Sequence, residues 1–582
     1  MEPADDFVQY VGELVRTFKV PGLSIAVVRT AVGDSPTFQF YNSGKALESD
    51  LPQLPSQPTD EHTLYCIAST SKAFTTTALG LLIEDYKDGR GKVPLPAGVH
   101  LNWDTKVASL LPGEFVLQDA YASTHVSLAD LCSHLSGVPG NDLAYGPDSS
   151  TKEIVKGLRY LRPGAELREK FQYNNLMYMT IAHIIATYSG QTFTSFVSSR
   201  IFQPLGMQYS TYQPRQPHQE PLTALRQLAH CWVNNAGLDG TDTRRVPMFN
   251  ETWKEESLEM NAGPGGVISC TSDMAKWVQT MLTNGKSPDT QVIPISVMEH
   301  ITTGRSVQTG RPSHPELSAA VYGAGWVRSS YQGRQMLQHT GDAIGWSSLV
   351  TFFPDDGLGV VCLSNAGSVY PALGCVTYRV AEDVLGLKRV DWLERFSPVK
   401  DTEQVDHKRT EKQEKQPSEN AQPQDLAQYS GTYWNDAYGA LTLCTWPAEE
   451  SSISAQVFAD YRLVDPDMQT HPEKYIVGRW KKVWCSHLRM IAAPPSARED
   501  DESGQEREEH EFQLYVDTIY PQGCGVDHTP FVVRVNKDWP AKVVFAVDDA
   551  VEKGLGMWIS ESQIKREGSI RERAEVWFDK VA

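Results

Sequence analysis

A polar segment over residues 397–424 constrains the fold of this chain more than any other feature of its sequence. Its sequence, SPVKDTEQVDHKRTEKQEKQPSENAQPQ, contains no aromatic residue and almost no aliphatic one. A stretch of this composition has no apolar side chains to bury, which is typical of a linker. It therefore divides the 582 residues into a larger part, 1–396, and a smaller part, 425–582. Each part is long enough to form a core of its own.

The first part has strand patterns at its two ends and helical patterns between them. The strand patterns cover residues 23–29, 37–41, 335–341, 347–353 and 359–363. The helical patterns include residues 74–86, 128–135, 176–188 and 272–282. Because the strands come from both chain ends, we expect a single α+β domain with one antiparallel sheet beside a helical region.

The second part is rich in strand-forming residues. The runs 429–433 and 440–445 are the first of several β-rich segments, and residues 498–511 are an acidic stretch that we expect to be a solvated loop. This pattern predicts a small all-β domain.

Charge and composition exclude several classes of protein. The chain has 53 basic and 72 acidic residues, a formal charge of −19, which disfavours nucleic-acid binding. The sequence contains no run of eighteen consecutive apolar residues, so no membrane span is predicted. Its first residues, MEPADDFVQYVGELV, lack the basic and then apolar pattern of a secretory signal. The nine scattered cysteines indicate reduced thiols rather than a disulfide framework or a zinc site. We therefore expect a cytoplasmic location and no membrane partner.

One serine and one lysine form the first candidate catalytic pair. Ser69 and Lys72 lie three residues apart where the run LYCIA meets the helix predicted from residue 74, so their side chains can touch on one helical face. A serine needs a neighbouring base to become a nucleophile, and a lysine serves as one only when its pKa is perturbed. The same spacing recurs at three places without this context: Ser149/Lys152, Ser397/Lys400 and Ser562/Lys565. Alone, Ser69 is equally interpretable as a helix-capping residue.

Two further motifs follow at long spacing. Tyr173-Asn174-Asn175 stands just before the helix predicted from residue 176, and His339-Thr340-Gly341 lies on a predicted strand. Singly, Tyr173 is interpretable as a core aromatic residue and His339 as a strand histidine. The ordered set of three motifs instead favours an acyl-transfer site.

With these motifs the chain resembles the serine β-lactamase and penicillin-binding-protein superfamily, especially its class C and esterase-like branch. Supporting phrases such as VSLADLCSHLSGVPG, GPGGVISCTSDMAKW and HTGDAIGWSSLVTFFPDDGLGVVCLSN extend the resemblance over about residues 8–388. The phrase LAQYSGTYWNDAYGALTL looks like the lipocalin-like β-barrel that follows many members of that superfamily. The resemblance implies a β-lactamase/transpeptidase-like domain followed by a small barrel.

The resemblance also implies roles for individual residues. Ser69 would be the acylated nucleophile, Lys72 would share its proton, and Tyr173 would act as the general base. Asn175 would bind Lys72 or the substrate. His339 and Gly341 would line the substrate on the strand, and the backbone N–H groups of Ser69 and Asp342 would form the oxyanion hole. Two positions stay open for Trp346: a wall of the acyl pocket or, more simply, the hydrophobic core.

One departure from the family pattern narrows the function. The lactamases carry a lysine where this chain has His339, and a histidine can be neutral near pH 7, so a strict requirement for a substrate carboxylate is not expected. We expect a serine hydrolase or acyltransferase, most simply an esterase or transesterase acting on a small acyl metabolite. Such chemistry needs no cofactor or metal, and its partners are the acyl substrate and, for transfer, an alcohol or amine acceptor. The alternatives are a D-aminopeptidase-like or peptide-cyclising enzyme, a true β-lactamase, and a catalytically silent binding protein of the same fold.

Overall fold

The structure is a computed structural model of the chain. It describes residues 6–30, 35–49, 55–212, 228–238, 240–247, 259–287, 290–397, 425–448, 452–493, 510–536, 541–546, 553–559 and 566–581. The predicted linker lies outside these residues except for Ser397, as does most of the acidic stretch, of which only residues 510 and 511 are described.

A nine-stranded antiparallel sheet forms the frame of the first part. Its strands are β1 (Gly22–Arg29), β2 (Thr37–Leu47), β3 (Gln57–Pro58), β10 (Ser306–Thr309), β11 (Ala320–Tyr322), β12 (Val327–Tyr331), β13 (Arg334–Ala343), β14 (Trp346–Phe353) and β15 (Leu358–Ser364). Their order is β10-β11-β12-β13-β14-β15-β1-β2-β3, so the last strand of the sheet pairs with the first. The sheet is therefore built from both chain ends, as the strand patterns predict.

The helices of the first part lie mostly between β3 and β10 in sequence. They are α1 (Phe7–Thr17), α2 (Lys72–Lys87), α3 (Val107–Leu110), α4 (Ala120–His125), α5 (Leu128–Cys132), α6 (Thr151–Gly157), α7 (Asn175–Ser189), α8 (Phe193–Val197), α9 (Ala262–Gly265), α10 (Thr271–Leu282), α11 (Ile295–Thr302), α12 (Tyr370–Leu385) and α13 (Trp392–Phe396). A 3₁₀ turn covers Ala68–Ser71 and another Leu158–Tyr160, and a π-helical turn covers Ser198–Phe202. Helix α2 is buried along nearly its whole length against α7, α9 and α11.

The second part is a closed eight-stranded barrel. Its strands are β16 (Gly431–Asn435), β17 (Gly439–Cys444), β18 (Tyr475–Arg479), β19 (His487–Ala492), β20 (His510–Tyr520), β22 (Ala541–Ala546), β23 (Gly554–Trp558) and β24 (Val576–Lys580). Each strand pairs with the next, and β24 returns to β16. The helices α14 (Ile453–Arg462), α15 (Pro466–Thr470) and α16 (Ile570–Arg573) and the 3₁₀ turns Leu426–Tyr429 and Pro472–Lys474 complete it. Closure pairs the barrel's backbone donors and acceptors around the ring.

A hairpin inside the first part was not expected. The sequence of residues 90–310 predicts mostly helices and loops, but β5 (Cys231–Ala236) and β6 (Asp242–Val246) form an antiparallel pair there. This hairpin continues the sheet of the barrel, because β5 pairs with β21 (Phe531–Arg534), which in turn pairs with β20. The two short pairs β4 (Tyr65–Cys66) with β7 (Ile268–Ser269) and β8 (Lys286–Ser287) with β9 (Thr290–Gln291) are the other small sheets.

Helix α5 ends earlier than its sequence pattern predicts. The pattern continues to residue 135, but the helix stops at Cys132 because His134 adopts a left-handed backbone with φ of +56°. The turn brings the His134 ring nitrogen Nδ1 to 3.0 Å from the backbone nitrogen of Asn174, whose N–H it accepts.

In the described part of the chain no helix has the length and apolar character needed to cross a membrane.

Candidate active site

A strained turn presents Ser69. The residue before it, Ala68, has φ of +46°, a left-handed conformation that costs an alanine about 1 kcal/mol or more. The carbonyl of Ile67 anchors the turn by accepting the hydroxyls of Thr70 at 2.8 Å and of Ser348 on β14 at 2.7 Å. Ser69 is partly exposed, whereas its neighbours in the turn are buried. The fold therefore leaves the Ser69 hydroxyl partly exposed while burying the residues on both sides of it.

Lys72 is the first residue of α2 and is fully buried. Its ammonium group donates to Ser69 Oγ at 3.0 Å, to Asn175 Oδ1 at 2.7 Å and to the carbonyl of Pro264 at 2.9 Å. Burial lowers the pKa of Lys72 from 10.5 to about 7, against the opposing charge of Asp142. At neutral pH Lys72 is thus partly unprotonated, and its amine lies within hydrogen-bonding distance of the Ser69 hydroxyl.

Asn175, at the start of α7, connects Lys72 to a carboxylate. Its amide oxygen accepts from Lys72, and its amide nitrogen donates to the Asp142 oxygens at 3.1 and 3.0 Å. The preceding Asn174 is the N-cap of α7: its side chain accepts from the N–H groups of Leu176 and Met177. Sequence reasoning assigned Asn174 no role, and the cap explains its polar amide.

Tyr173 lies beside both candidate catalytic groups. Burial raises the pKa of its phenol well above the usual value, and a hydrogen bond with the Ser69 side chain opposes that rise. Its ring centroid is 4.6 Å from Lys72 Nζ. The phenol therefore keeps its proton at neutral pH and can donate it.

The His339 ring is neutral and fully hydrogen-bonded. Burial lowers its pKa to about 3, with the Lys72 charge adding to the effect. Nδ1 lies 2.6 Å from the carbonyl of Thr340, which can only accept, so Nδ1 carries the proton and Nε2 accepts from the Tyr322 hydroxyl at 2.9 Å. The strand thus presents an uncharged side chain where the lactamases have a lysine.

The remaining predicted residues differ in where they lie. A Cβ on Gly341 would stand 2.2 Å from the Ile67 carbonyl oxygen, so only glycine lets β13 approach the Ser69 turn this closely. The Asp342 carboxylate accepts from Ser347 Oγ at 2.9 Å and from the N–H of Ser368 at 2.8 Å. Trp346 is 2% exposed and packs edge-on against Tyr65. Of the two positions that the sequence left open for Trp346, the structure shows the one in the hydrophobic core.

Sequence reasoning missed several groups that contact the site residues, and two of them hold Asn175 and Lys72. Asp142 faces Asn175, and the carbonyl of Pro264 accepts from Lys72. Asp142 lies in an irregular segment without periodicity or motif. Pro264 lies in the single-turn helix α9, and the run GPGGVISC around it was the signal in the sequence. In contrast, the spurious pair Ser149/Lys152 does not form: Lys152 pairs with Glu114 at 2.9 Å.

Replacing Gly341 by alanine tests the close approach of β13 to the nucleophile turn. Because the new Cβ would overlap the Ile67 carbonyl, we expect Gly341→Ala to slow labelling of Ser69 by a fluorophosphonate probe by about 100-fold, as for small misplacements of reacting groups. The control is Gly12→Ala in α1, where a Cβ meets nothing within 4 Å and helix propensity favours alanine. A folded Gly341→Ala variant that labels at the wild-type rate would refute this.

The chain matches known proteins over most of its length. A family-wide sequence model described as Beta-lactamase matches residues 7–374, more than half of the chain. The unguisins hydrolase ungD' of Aspergillus campestris is 30% identical over 468 residues, covering 78% of this chain and 80% of the relative. The unguisins hydrolase ungD of Aspergillus violaceofuscus is 28% identical over 481 residues, covering 78% and 79%.

Among solved structures, a beta-lactamase from Sulfitobacter sp. EE-36 is similar with a TM-score of 0.50 and 18% identity. The aligned region covers 66% of this chain and 98% of the Sulfitobacter protein, so the two proteins are similar in fold. On the extent of the family match and of the first relative, the chain belongs to the beta-lactamase family and is a serine hydrolase or acyltransferase.

Proposed function

We propose that this enzyme forms an acyl-enzyme on Ser69 and is an esterase or transesterase for a small acyl metabolite without a carboxylate near the scissile carbonyl. The observation that carries the proposal is the position of Lys72, a buried amine with a pKa of about 7 whose Nζ lies 3.0 Å from Ser69 Oγ. An amine tuned to this range is suited to taking a proton at neutral pH.

The hydrogen bonds of Lys72 determine where its lone pair points when it is neutral. A neutral amine has two N–H bonds, and Asn175 Oδ1 and the Pro264 carbonyl can only accept. The lone pair therefore faces Ser69 Oγ and takes its proton as the oxygen attacks the substrate carbonyl. This division of roles makes Lys72 the base, whereas the resemblance gives that role to Tyr173.

Tyr173 then supplies the proton that the leaving group needs. Its raised pKa keeps the phenol protonated, and the hydrogen bond with Ser69 places it beside the reacting oxygen. When the C–O or C–N bond breaks, the phenol protonates the departing oxygen or nitrogen and recovers a proton from the Lys72 ammonium. Water, or an alcohol or amine acceptor, then attacks the acyl-enzyme, and Lys72 accepts its proton. As the bond between the acyl carbon and Ser69 Oγ breaks, the Lys72 ammonium returns that proton to Oγ and the free enzyme is restored. Backbone N–H groups of Ser69 and Asp342 would stabilise the oxyanion.

Intact mass spectrometry tests the acyl-enzyme directly. After incubation with short- and medium-chain activated esters, we expect the wild type to gain one acyl mass and Ser69→Ala to gain none. The matched control is Ser397→Ala, which removes the serine of another spurious SxxK pair and should acylate normally. Alcohols or amines that release the acyl group faster than water would identify a transferase. No mass gain and no turnover in the wild type would contradict the proposal and favour a binding protein.

The pH dependence of acylation tests the role of Lys72. The base must be neutral to act, so kcat/KM should rise with pH through about 7 and level off above it. Had Tyr173 been the base, the rise would continue into the strongly alkaline range, because burial raises its pKa. Rates of ester hydrolysis between pH 5 and 10 measure this limb, and a limb above pH 9 would refute the assignment.

A matched pair of esters tests the preference for uncharged substrates. The para-nitrophenyl esters of pentanoic and glutaric acid have acyl chains of equal length, and only the second ends in a carboxylate. Because His339 is uncharged, we expect kcat/KM to be about tenfold or more higher for the pentanoate. His339→Lys should raise the relative rate of the glutarate ester. Equal rates for the two esters, unchanged in His339→Lys, would contradict this preference.

A second candidate function comes from the relatives. Two of them, 30% and 28% identical over most of their length, are named unguisins hydrolases, which favours hydrolysis of an unguisin or a compound like it. Incubation of an unguisin with the wild type and Ser69→Ala, followed by mass analysis, distinguishes this candidate.

Rates measured in parallel on a nitrophenyl ester and a D-amino-acid anilide test the D-aminopeptidase-like alternative, because a strong preference for the anilide would exclude an esterase.

A further inference from the structure

The segment between Asn141 and Gly146 lies between the catalytic lysine and the barrel. On one side both oxygens of Asp142 accept from the amide nitrogen of Asn175, whose amide oxygen accepts from Lys72. On the other side Tyr145, 2% exposed, accepts a hydrogen bond at 3.0 Å from the indole N–H of Trp484, a residue of the barrel. The Tyr145 hydroxyl is also 3.2 Å from Asp142 Oδ1. A continuous path of hydrogen bonds thus connects the barrel to Lys72.

The direction of every bond in this path is fixed by the chemistry of its members. An indole nitrogen can only donate, so the Tyr145 oxygen accepts from Trp484 and must give its own proton to Asp142. The Asp142 carboxylate only accepts, so Asn175 turns its nitrogen toward it and its oxygen toward Lys72. No side chain in the path can flip without breaking a bond.

The barrel holds the same segment at two more places. The Lys482 ammonium donates to the carbonyl of Ala144 at 3.3 Å and to the carbonyl of Tyr438 at 2.6 Å. The Tyr438 hydroxyl donates to Asn141 Oδ1 at 2.8 Å. Lys482 is 7% exposed and Tyr438 is 2% exposed, so these are buried contacts between the two parts of the chain. The position of Asp142 therefore depends on residues of both.

We propose that Trp484, Tyr145 and Asp142 are positioning residues for Lys72, so that the catalytic base is correctly held only when the barrel is docked on the Asn141–Gly146 segment. This inference rests on the proposed function, in which Lys72 takes the proton of Ser69. It gives the barrel a part in catalysis, acting through the lysine rather than by touching substrate.

The charges around the path set the sign of the expected pH effect. The ionisable side chains facing Lys72 come from several elements: His134, Asp142, Tyr173, Tyr178 and His339. Those facing Asp142 are Lys72, Tyr145, Tyr173 and Tyr438. Of these groups Asp142 is the anion, and its charge favours the ammonium form of Lys72. Removing that charge should lower the pKa of Lys72 and move the acid limb of kcat/KM to lower pH.

The experiment compares three single variants and one double variant of the full chain by the rate and pH dependence of ester hydrolysis. Asp142→Asn should shift the acid limb to lower pH and reduce the plateau of kcat by about 10- to 100-fold. Trp484→Phe and Tyr145→Phe should each reduce kcat about 3- to 10-fold with little change in KM, as for the loss of one hydrogen bond. Combined, they should cost no more than Tyr145→Phe alone, because both break one path.

The control is Trp446→Phe in the barrel. Its ring is 38% exposed and packs against Phe458 and Arg462, which take no part in the path, so this variant removes the same atoms without breaking the path and should keep the wild-type rate. Thermal unfolding checks that each variant is folded. If Asp142→Asn does not fold, Trp484→Phe and Tyr145→Phe decide the outcome.

The outcomes separate this inference from the proposed function. If the wild type does not acylate Ser69, the proposed function fails and takes the inference with it. If the wild type acylates normally but Trp484→Phe and Tyr145→Phe match it in rate, the positioning role is overturned and the proposed function stands. An Asp142→Asn variant that is slower without any shift of the acid limb also overturns it, because a purely structural defect would have that effect.

Discussion

The burial of one amine, Lys72, is the constraint on which the rest of the site depends. Moving a cation out of water costs several kcal/mol, and the fold compensates with three oxygen acceptors from three separate segments. Each acceptor requires a local arrangement: the turn at Ser69, the capped start of α7, and the α9 segment at Pro264. The same burial brings the amine near its neutral form. The burial that costs free energy at Lys72 therefore also makes its amine able to accept a proton near neutral pH.

The sheet converts distant sequence segments into neighbours of that amine. Pairing of β15 with β1 closes the frame from the two chain ends, and β13 carries Gly341 against the Ser69 turn. The helical region supplies α2 and α7, which bring Lys72 and Asn175 together across 103 residues. A site assembled in this way cannot form until both ends of the catalytic part have folded.

Much of this was predictable from sequence because the signals are local. A three-residue spacing places Ser69 beside Lys72, and Gly357 in the turn Asp355-Asp356-Gly357 takes the positive φ of 61° that such a hairpin requires. The parts that were not predictable depend on contacts between distant irregular segments. Asp142 has no motif, the end of α5 depends on the left-handed backbone of His134, and β5 pairs with β6 and, at Ala236, with the distant strand β21. The ring nitrogens of His339 could be assigned only once Tyr322 and Thr340 were seen beside them.

The β5–β6 hairpin has a consequence for how the barrel avoids aggregation. Strand β21 lies outside the closed ring and pairs with β20 on one side, so its other edge would be open to any strand that approaches. Val533 on that edge pairs with Ala236 of β5, and the N–H of Gly237 donates to the carbonyl of Val532. The first part of the chain thus contacts the outer edge of β21, which would otherwise have unpaired backbone groups there. A barrel produced without residues 231–246 would expose that edge to other copies of itself.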